Sequence, residues 1–443
     1  MRTDLEIVQL PDPLPNWGGR LGRNKINTDP DFGSKIVRIT DATDSGGHSL
    51  FTASGAGANI WNRNETMLLV ETPGGGKLVY QFNPATMQSK QLPYKYNGKY
   101  AFSGVQPGVL FGLDGTALKK LKFAFVNGEW VYQNTSDVCD FANCLPAGFN
   151  LKWTGSFGGS NDDAMFTVGF SEGVQNTCIH SCVWQRGHGV GKGYRTFNSE
   201  TGMISGDWGE IGAARLVSND TKIPFTIHET SSTPVKEYSN IGPHSGAPTL
   251  LWHTSMLDIH DIGVSGHKAG GMKHLYAGGP GNGQIKEVLY ADVTQVRLVV
   301  PHDKLPESQI NPGTGQPQYY KGDSHYAFGK FDPDDHSIFW MSQQTKPDLA
   351  DGQTKPFTSC WTNEIVGYEV DTGIVYRACH TFNSAKSEFF VIENAIAVPS
   401  PKGRFIAFAS DMMGQVGSKT GADIGTPGID ARGDVFVARL VTP

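Results

Sequence analysis

Apolar positions along this chain recur with a period of two over short stretches, and each stretch ends at a cluster of Gly, Pro, Asn or Asp. Lys35-Ile36-Val37-Arg38-Ile39-Thr40 alternates in this way, as does Asp434-Val435-Phe436-Val437-Ala438-Arg439-Leu440. Such alternation puts one face of a strand on a core and the other toward water. No stretch shows the 3.6-residue period of a long amphipathic helix. The pattern therefore predicts an all-β chain of short strands.

The strands recur in quartets. Glu393-Asn394-Ala395-Ile396-Ala397-Val398, the turn Pro399-Ser400-Pro401-Lys402-Gly403 and Arg404-Phe405-Ile406-Ala407-Phe408 form one strand-turn-strand copy. His325-Tyr326-Ala327-Phe328, Asp332-Pro333-Asp334-Asp335 and Ser337-Ile338-Phe339-Trp340 form another. Outer hairpins give a second register: Val79 to Thr86, Tyr194 to Gly202 and Val366 to Gly373 each run from an alternating strand into an Asn or Asp turn. Spacings of roughly 40 to 50 residues between copies suit the four-stranded blades of a β-propeller. Inner strands placed before the hairpins start near Asn59, Tyr100, Trp153, His228, His267, His325 and Asn394, which makes seven blades. Asp434 to Leu440 reads as a third strand with no successor. Lys35 to Thr40 is its available partner, and pairing the two would close the ring and remove both exposed edges. An open sandwich array would not require this match of orphan strands. The expectation is a propeller over 35–443 preceded by an irregular arm over 1–34.

Gly 55 and Pro 25 among 443 residues, with 18% charged, agree with tight turns. A net charge of -6 without a basic stripe argues against a nucleic-acid partner, and apolar runs such as Glu65 to Val70 are too short to span a bilayer. Six cysteines fall into local pairs: Cys139 with Cys144, Cys178 with Cys182, and Cys360 with Cys379. Disulfides in a secreted chain suit this even count, and the sequons at Asn64, Asn134 and Asn219 agree. The first four cysteines also have spacings near those of a zinc site, but in a polar, loop-rich region a covalent staple needs no metal shell. Met1 is followed by Arg2-Thr3-Asp4 and no apolar run, so the chain reads as either cytosolic or a mature form without its signal peptide, and the cysteines and sequons favour the second, secreted reading.

Residues that begin the inner strands of a propeller converge on its central funnel. Three successive inner strands carry His228, His267 and His325, and the seventh offers Glu393 and Asn394. Three imidazoles at equivalent points suggest chemistry, because imidazole titrates near working pH and also binds divalent metals. Asn59, Tyr100 and Trp153 would contribute from the other blades, and His48 lies in a Gly-rich loop within reach of the funnel mouth. Arg186, His188, Lys192 and Arg195 form a basic stretch suited to an anionic chain. His253, His260, His274 and His336 fit structural or solvated positions.

The two strand-turn-strand copies, the one through Phe408 ending at Ser410-Asp411, resemble the TolB-like propeller repeat. With a histidine-rich funnel, the whole is similar to the secreted or periplasmic polysaccharide lyases of the oligogalacturonate, ulvan and rhamnosyl-glucuronate lyase groups. The resemblance implies β-elimination from a uronic acid, with His228, His267 or His325 as acid or base and either no cofactor or one divalent metal ion on those histidines. The paired His and Gln ligands expected of an oligogalacturonate lyase at close spacing are not found. The expected partner is an acidic polysaccharide or oligosaccharide, bound by a monomer. A carbohydrate-binding propeller without chemistry would use the same aromatic residues for stacking, and a related glycoside hydrolase is the other alternative.

Overall fold

A computed structural model describes, with side chains, most of residues 2–41, 60–198, 338–343, 361–383, 395–416 and 432–440; between 204 and 328 it describes the strands by their backbone. The protein is all-β: among the described residues the helical element is one 3-10 turn, Phe141–Cys144, and the strands form seven antiparallel sheets.

In chain order, the first sheet comprises a bridge at Trp61 and the strands Met67–Glu71, Gly76–Asn83 and Gln88–Asn97. The second holds Lys99–Phe102, Val109–Asp114, Ala117–Val126 and Glu129–Asp140, and the third begins with Trp153–Gly159 and Met165–Ser171. Phe225–Ile227, Pro234–Ser239 and Thr249–Ser255 make the fourth. Ile262–His267 and Gly271–Ala277 open the fifth, Ser324–Phe328 and Ile338–Gln343 the sixth. The sixth continues with Glu364–Glu369 and Val375–His380. Successive strands within each of these six sheets are neighbours, so each is a meander. First strands of consecutive sheets lie against one another, as with Lys99–Phe102 and Trp153–Gly159, or Ser324–Phe328 and Val398–Pro399.

The seventh sheet draws on both chain ends. Val398–Pro399, Phe405–Ser410 and Asp434–Arg439 are followed by Lys35–Arg38 and then Ile26–Thr28. Val37 stands opposite Val437, the pairing that the alternating patterns predicted. Residues 26–28 add an outermost strand, so the segment before Lys35 is not wholly irregular; Ile26 pairs with Val37 because their turn is closed by Asp29 and Gly33.

The core lies between sheets. Trp61, fully buried, packs on Phe82 and Phe405, and its indole N–H donates to the Val398 carbonyl at 3.2 Å, which joins the first sheet to the seventh. Glu65 completes this seam by accepting from Ser400 Oγ at 2.6 Å and from the Lys402 N–H at 3.0 Å, while pairing with Arg404. Asn62 donates to the Pro107 carbonyl, Ser103 to Asp163, and the Ala397 N–H to Ser342, so neighbouring sheets are laced by short polar links at the ends of their strands. The arm straps over the sixth and seventh sheets: Leu10, Trp17 and Leu21 are buried there, and Trp17 meets Phe382 edge-on at 4.6 Å. Gly98 shows one place where backbone crowding dictates residue type, since at φ +134° a Cβ would stand 2.4 Å from the Leu113 carbonyl.

Candidate functional site

The register of each meander gives its strand ends two distinct edges. In the sixth sheet Ser324 pairs with Gln343 and Phe328 with Phe339, so the start of the first strand is remote from the hairpin turn. The same edge carries the start of the third strand, Glu364, and the end of the fourth, His380, which face each other. His325 belongs to a row that runs His325, Ser342, Ile365, Cys379 across all four strands.

This register separates the predicted histidines. His325 is the second residue of its strand, at the starting edge, as Tyr100 and Trp153 are in the second and third sheets. His267 is the last residue of Ile262–His267 and pairs with Gly271 at the hairpin turn, so it lies on the opposite edge. For His267 the expected position at a strand start is therefore corrected: Ile262–His267 leads into its hairpin, so this histidine closes the strand instead of opening it. His228 itself lies outside the described residues, as do His48, Asn59, Glu393 and Asn394.

Tyr100 is at the expected strand position, but its ring is buried in the core between the first and second sheets, with the Lys77 ammonium 5.6 Å from its centroid. A ring so placed packs the first and second sheets together. The backbone of Trp153 pairs with Ser171, and that of Arg195 with Val183 and Gly206. Arg186 and Lys192 are exposed, with His188 half-buried, on the turn that joins the third and fourth strands of their sheet. That turn occupies the edge opposite to His325.

On the His325 edge, the outer half of the sixth sheet holds a charged cluster that the sequence reading missed. Arg377 donates from Nε and Nη2 to the two oxygens of Glu364 at 2.8 and 2.7 Å, and from Nη1 to Asp4 at 2.6 Å. Arg377 and Glu364 are fully buried, and burial pushes the Glu364 carboxyl up against the opposing pull of Arg377. Beside them, one ligand atom each of Asp29, Asp31 and His380 lie within 4.8 Å of one another, a donor set that could hold a metal. The Asp29-Pro30-Asp31-Phe32-Gly33 turn was the legible signal. Asp29 accepts from the Asp31 and Phe32 N–H groups, and Gly33 has φ +73°.

Cys139, Cys144, Cys182 and Cys379 carry free thiols in this structure. The 3-10 turn directs Cys144 Sγ onto the Phe141 carbonyl at 3.0 Å, and Cys182 Sγ lies 3.8 Å from Thr196 Oγ1 in a shared core, so the local 139–144 bridge is not formed. Cys178 and Cys360 lie outside the described residues. The sequon residues Asn64 and Asn134 are exposed.

No family model matches the chain, and no curated protein matches it. Solved structures do. An oligogalacturonate lyase in complex with manganese is 11% identical, with 99% of each chain covered and a TM-score of 0.51. An oligogalacturonate lyase from Vibrio parahaemolyticus is 12% identical over 94% of this chain and 96% of that one, at a TM-score of 0.49. A β-propeller domain from Myceliophteria thermophila is 11% identical over 91% of this chain and 99% of that one, at 0.39. The first of these likenesses establishes the fold, a β-propeller of antiparallel sheets.

Proposed function

We propose that this chain is a carbohydrate-active enzyme that cleaves a uronic-acid-containing polysaccharide or oligosaccharide by β-elimination, with His325 as acid or base. The seven sheets are read as the blades of one ring, closed where Lys35–Arg38 pairs with Asp434–Arg439. The observation that carries the proposal is the position of His325. It stands at the starting edge of a first strand, next to the first strands of the fifth and seventh sheets, where a propeller funnel opens. The full-length likeness to a protein named as an oligogalacturonate lyase supplies the substrate class.

The chemistry follows from the substrate. A base removes the proton on the carbon next to the carboxylate, that electron pair forms the ring double bond, and the glycosidic bond breaks as an acid protonates the leaving oxygen. An imidazole serves either step near neutral pH. The close-spaced His and Gln ligands are not found in the sequence, and His267 ends its strand at a hairpin turn whereas His325 stands near the start of its own. Each step is accordingly assigned to protein groups. Secretion and a monomeric state belong to the same reading.

The test is incubation with a panel of acidic polysaccharides while following the ultraviolet absorbance of an unsaturated uronate. Product from one of them, lost in His325→Ala, supports the assignment. Saturable binding without product from any would leave a carbohydrate-binding propeller, for which the aromatic residue Trp153 at a strand start is the favouring feature. Reducing ends without the unsaturated chromophore would mark a hydrolase.

A further inference from the structure

The turn between Ile26–Thr28 and Lys35–Arg38 rests on the end of Val375–His380, the last strand of the sixth sheet. Ser34 Oγ donates to the Ala378 carbonyl, and Asp29 Oδ2 accepts from the His380 N–H at 2.7 Å. Asp29 is fully buried and is further fixed by two backbone N–H groups of its own turn at 2.9 and 3.0 Å. In this frame the His380 ring is wholly buried, yet neither of its nitrogens has a hydrogen-bond partner. Nδ1 is aimed at the two carboxylates, 3.4 Å from Asp29 Oδ2 and 3.6 Å from Asp31 Oδ2.

These separations are too long for hydrogen bonds, which would close to about 2.9 Å. They match donors that share an ion: metal–ligand bonds of about 2.0–2.1 Å at the tetrahedral angle put donor atoms about 3.3–3.4 Å apart. Among the described residues the walls offer the ring no other polar partner. Phe32 meets it edge-on at 4.8 Å, Phe382 packs at 5.2 Å, and the neighbouring cation Arg377 is committed to Glu364 and Asp4. Asp31, with its side chain 32% exposed, opens the cluster to water and leaves room for solvent ligands. Two carboxylates and a neutral imidazole match the charge of one divalent ion, and this nitrogen and oxygen set suits zinc, manganese or cobalt.

We propose that Asp29, Asp31 and His380 bind one divalent transition-metal ion that pins the N-terminal turn to the sixth sheet. The site is structural and separate from the funnel: three strand spacings of about 4.8 Å, roughly 14 Å, lie between the His325 and Cys379 strands. It leaves the elimination mechanism untouched.

The test uses the full chain stripped with EDTA and then titrated with Zn2+ or Co2+. Asp31→Asn should bind one ion fewer than the parent chain, and His380→Gln likewise. Zn2+ should raise the melting temperature of the parent by about 3 °C or more and leave that of Asp31→Asn unmoved, because a ligand of the folded state alone shifts the equilibrium. The Co2+ difference spectrum should show weak visible bands without intense thiolate charge transfer, which separates this site from the cysteines. If Asp31→Asn binds as many ions as the parent, or lowers the melting temperature equally with EDTA and with Zn2+, the cluster is an ion pair around a protonated His380 and the proposal fails. Asp31 is exposed and its side chain makes no hydrogen bond among the described residues, so its variant remains informative if His380→Gln does not fold.

Discussion

His325 and His267 stand at opposite ends of corresponding strands: His325 pairs with Ser342, remote from the hairpin turn of its sheet, and His267 pairs with Gly271 at the turn itself. Only the first stands near a first-strand start, where the proposed funnel would open. His325→Ala should therefore lower uronate cleavage by about 100-fold or more, the usual contribution of a positioned acid or base, while His267→Ala should change it by less than about threefold. Steady-state rates on the best substrate of the panel, beside melting curves for both variants, check this. Equal losses, or a larger loss at His267, would move the site to the other edge, where Arg186 and Lys192 lie.

Arg377 and Glu364 exchange two hydrogen bonds inside the protein. Removing one partner strands the other without solvent, so Arg377→Met should destabilise the fold by about 3–5 kcal/mol in urea unfolding. Replacing both, in Glu364→Leu with Arg377→Met, should cost less than the single change, because no buried charge is then left unpaired. A double variant weaker than the single would contradict that account.

Asp434 joins the two ends of the chain. Its carboxylate accepts from Arg38 at 2.6 Å, from Thr40 at 2.7 Å and from Arg432 at 2.6 Å, all buried. Asp434→Ala leaves two guanidinium groups unpaired and should cost about 3 kcal/mol or more. Asp137, whose side chain is 83% exposed in its pair with Lys119, is the control: Asp137→Ala should leave the urea midpoint unchanged.

Burial pushes the Cys139 thiol up to about 12, and burial also raises that of Cys182. Both thiols should stay protonated at pH 8. Alkylation by iodoacetamide should then be at least about tenfold slower in the folded protein than in urea, and should accelerate as pH rises from 9 toward 12. The sign for stability follows: the unfolded chain releases this proton at lower pH than the folded one, so the protein loses stability as pH climbs through that window. Mass spectrometry of the folded protein across pH reports both thiols. Fast alkylation at pH 8 would show that they are solvated.

Much of the architecture was legible in the chain. Period-two alternation in Lys35–Arg38 and Asp434–Arg439 located two strands and, because each lacked a partner in sequence, their pairing as well. Alternation alone could also predict Ile36 and Val37 on opposite faces, since side chains of neighbouring strand residues must point apart. What it could not supply was the end of each strand that a residue occupies. His267 and His325 look alike in sequence, each beside a short apolar run, and only the hydrogen-bond register shows that one closes a hairpin while the other opens a sheet. Tyr100 was placed correctly along its strand, but whether its ring faced substrate or core depended on Lys77 and the first sheet packing over it. Asp29 and His380 are separated by most of the chain, and nothing local in either links them. The closing of the N-terminal segment onto the last sheet brings the Asp29 turn to the end of the His380 strand, so that cluster exists only in the tertiary structure.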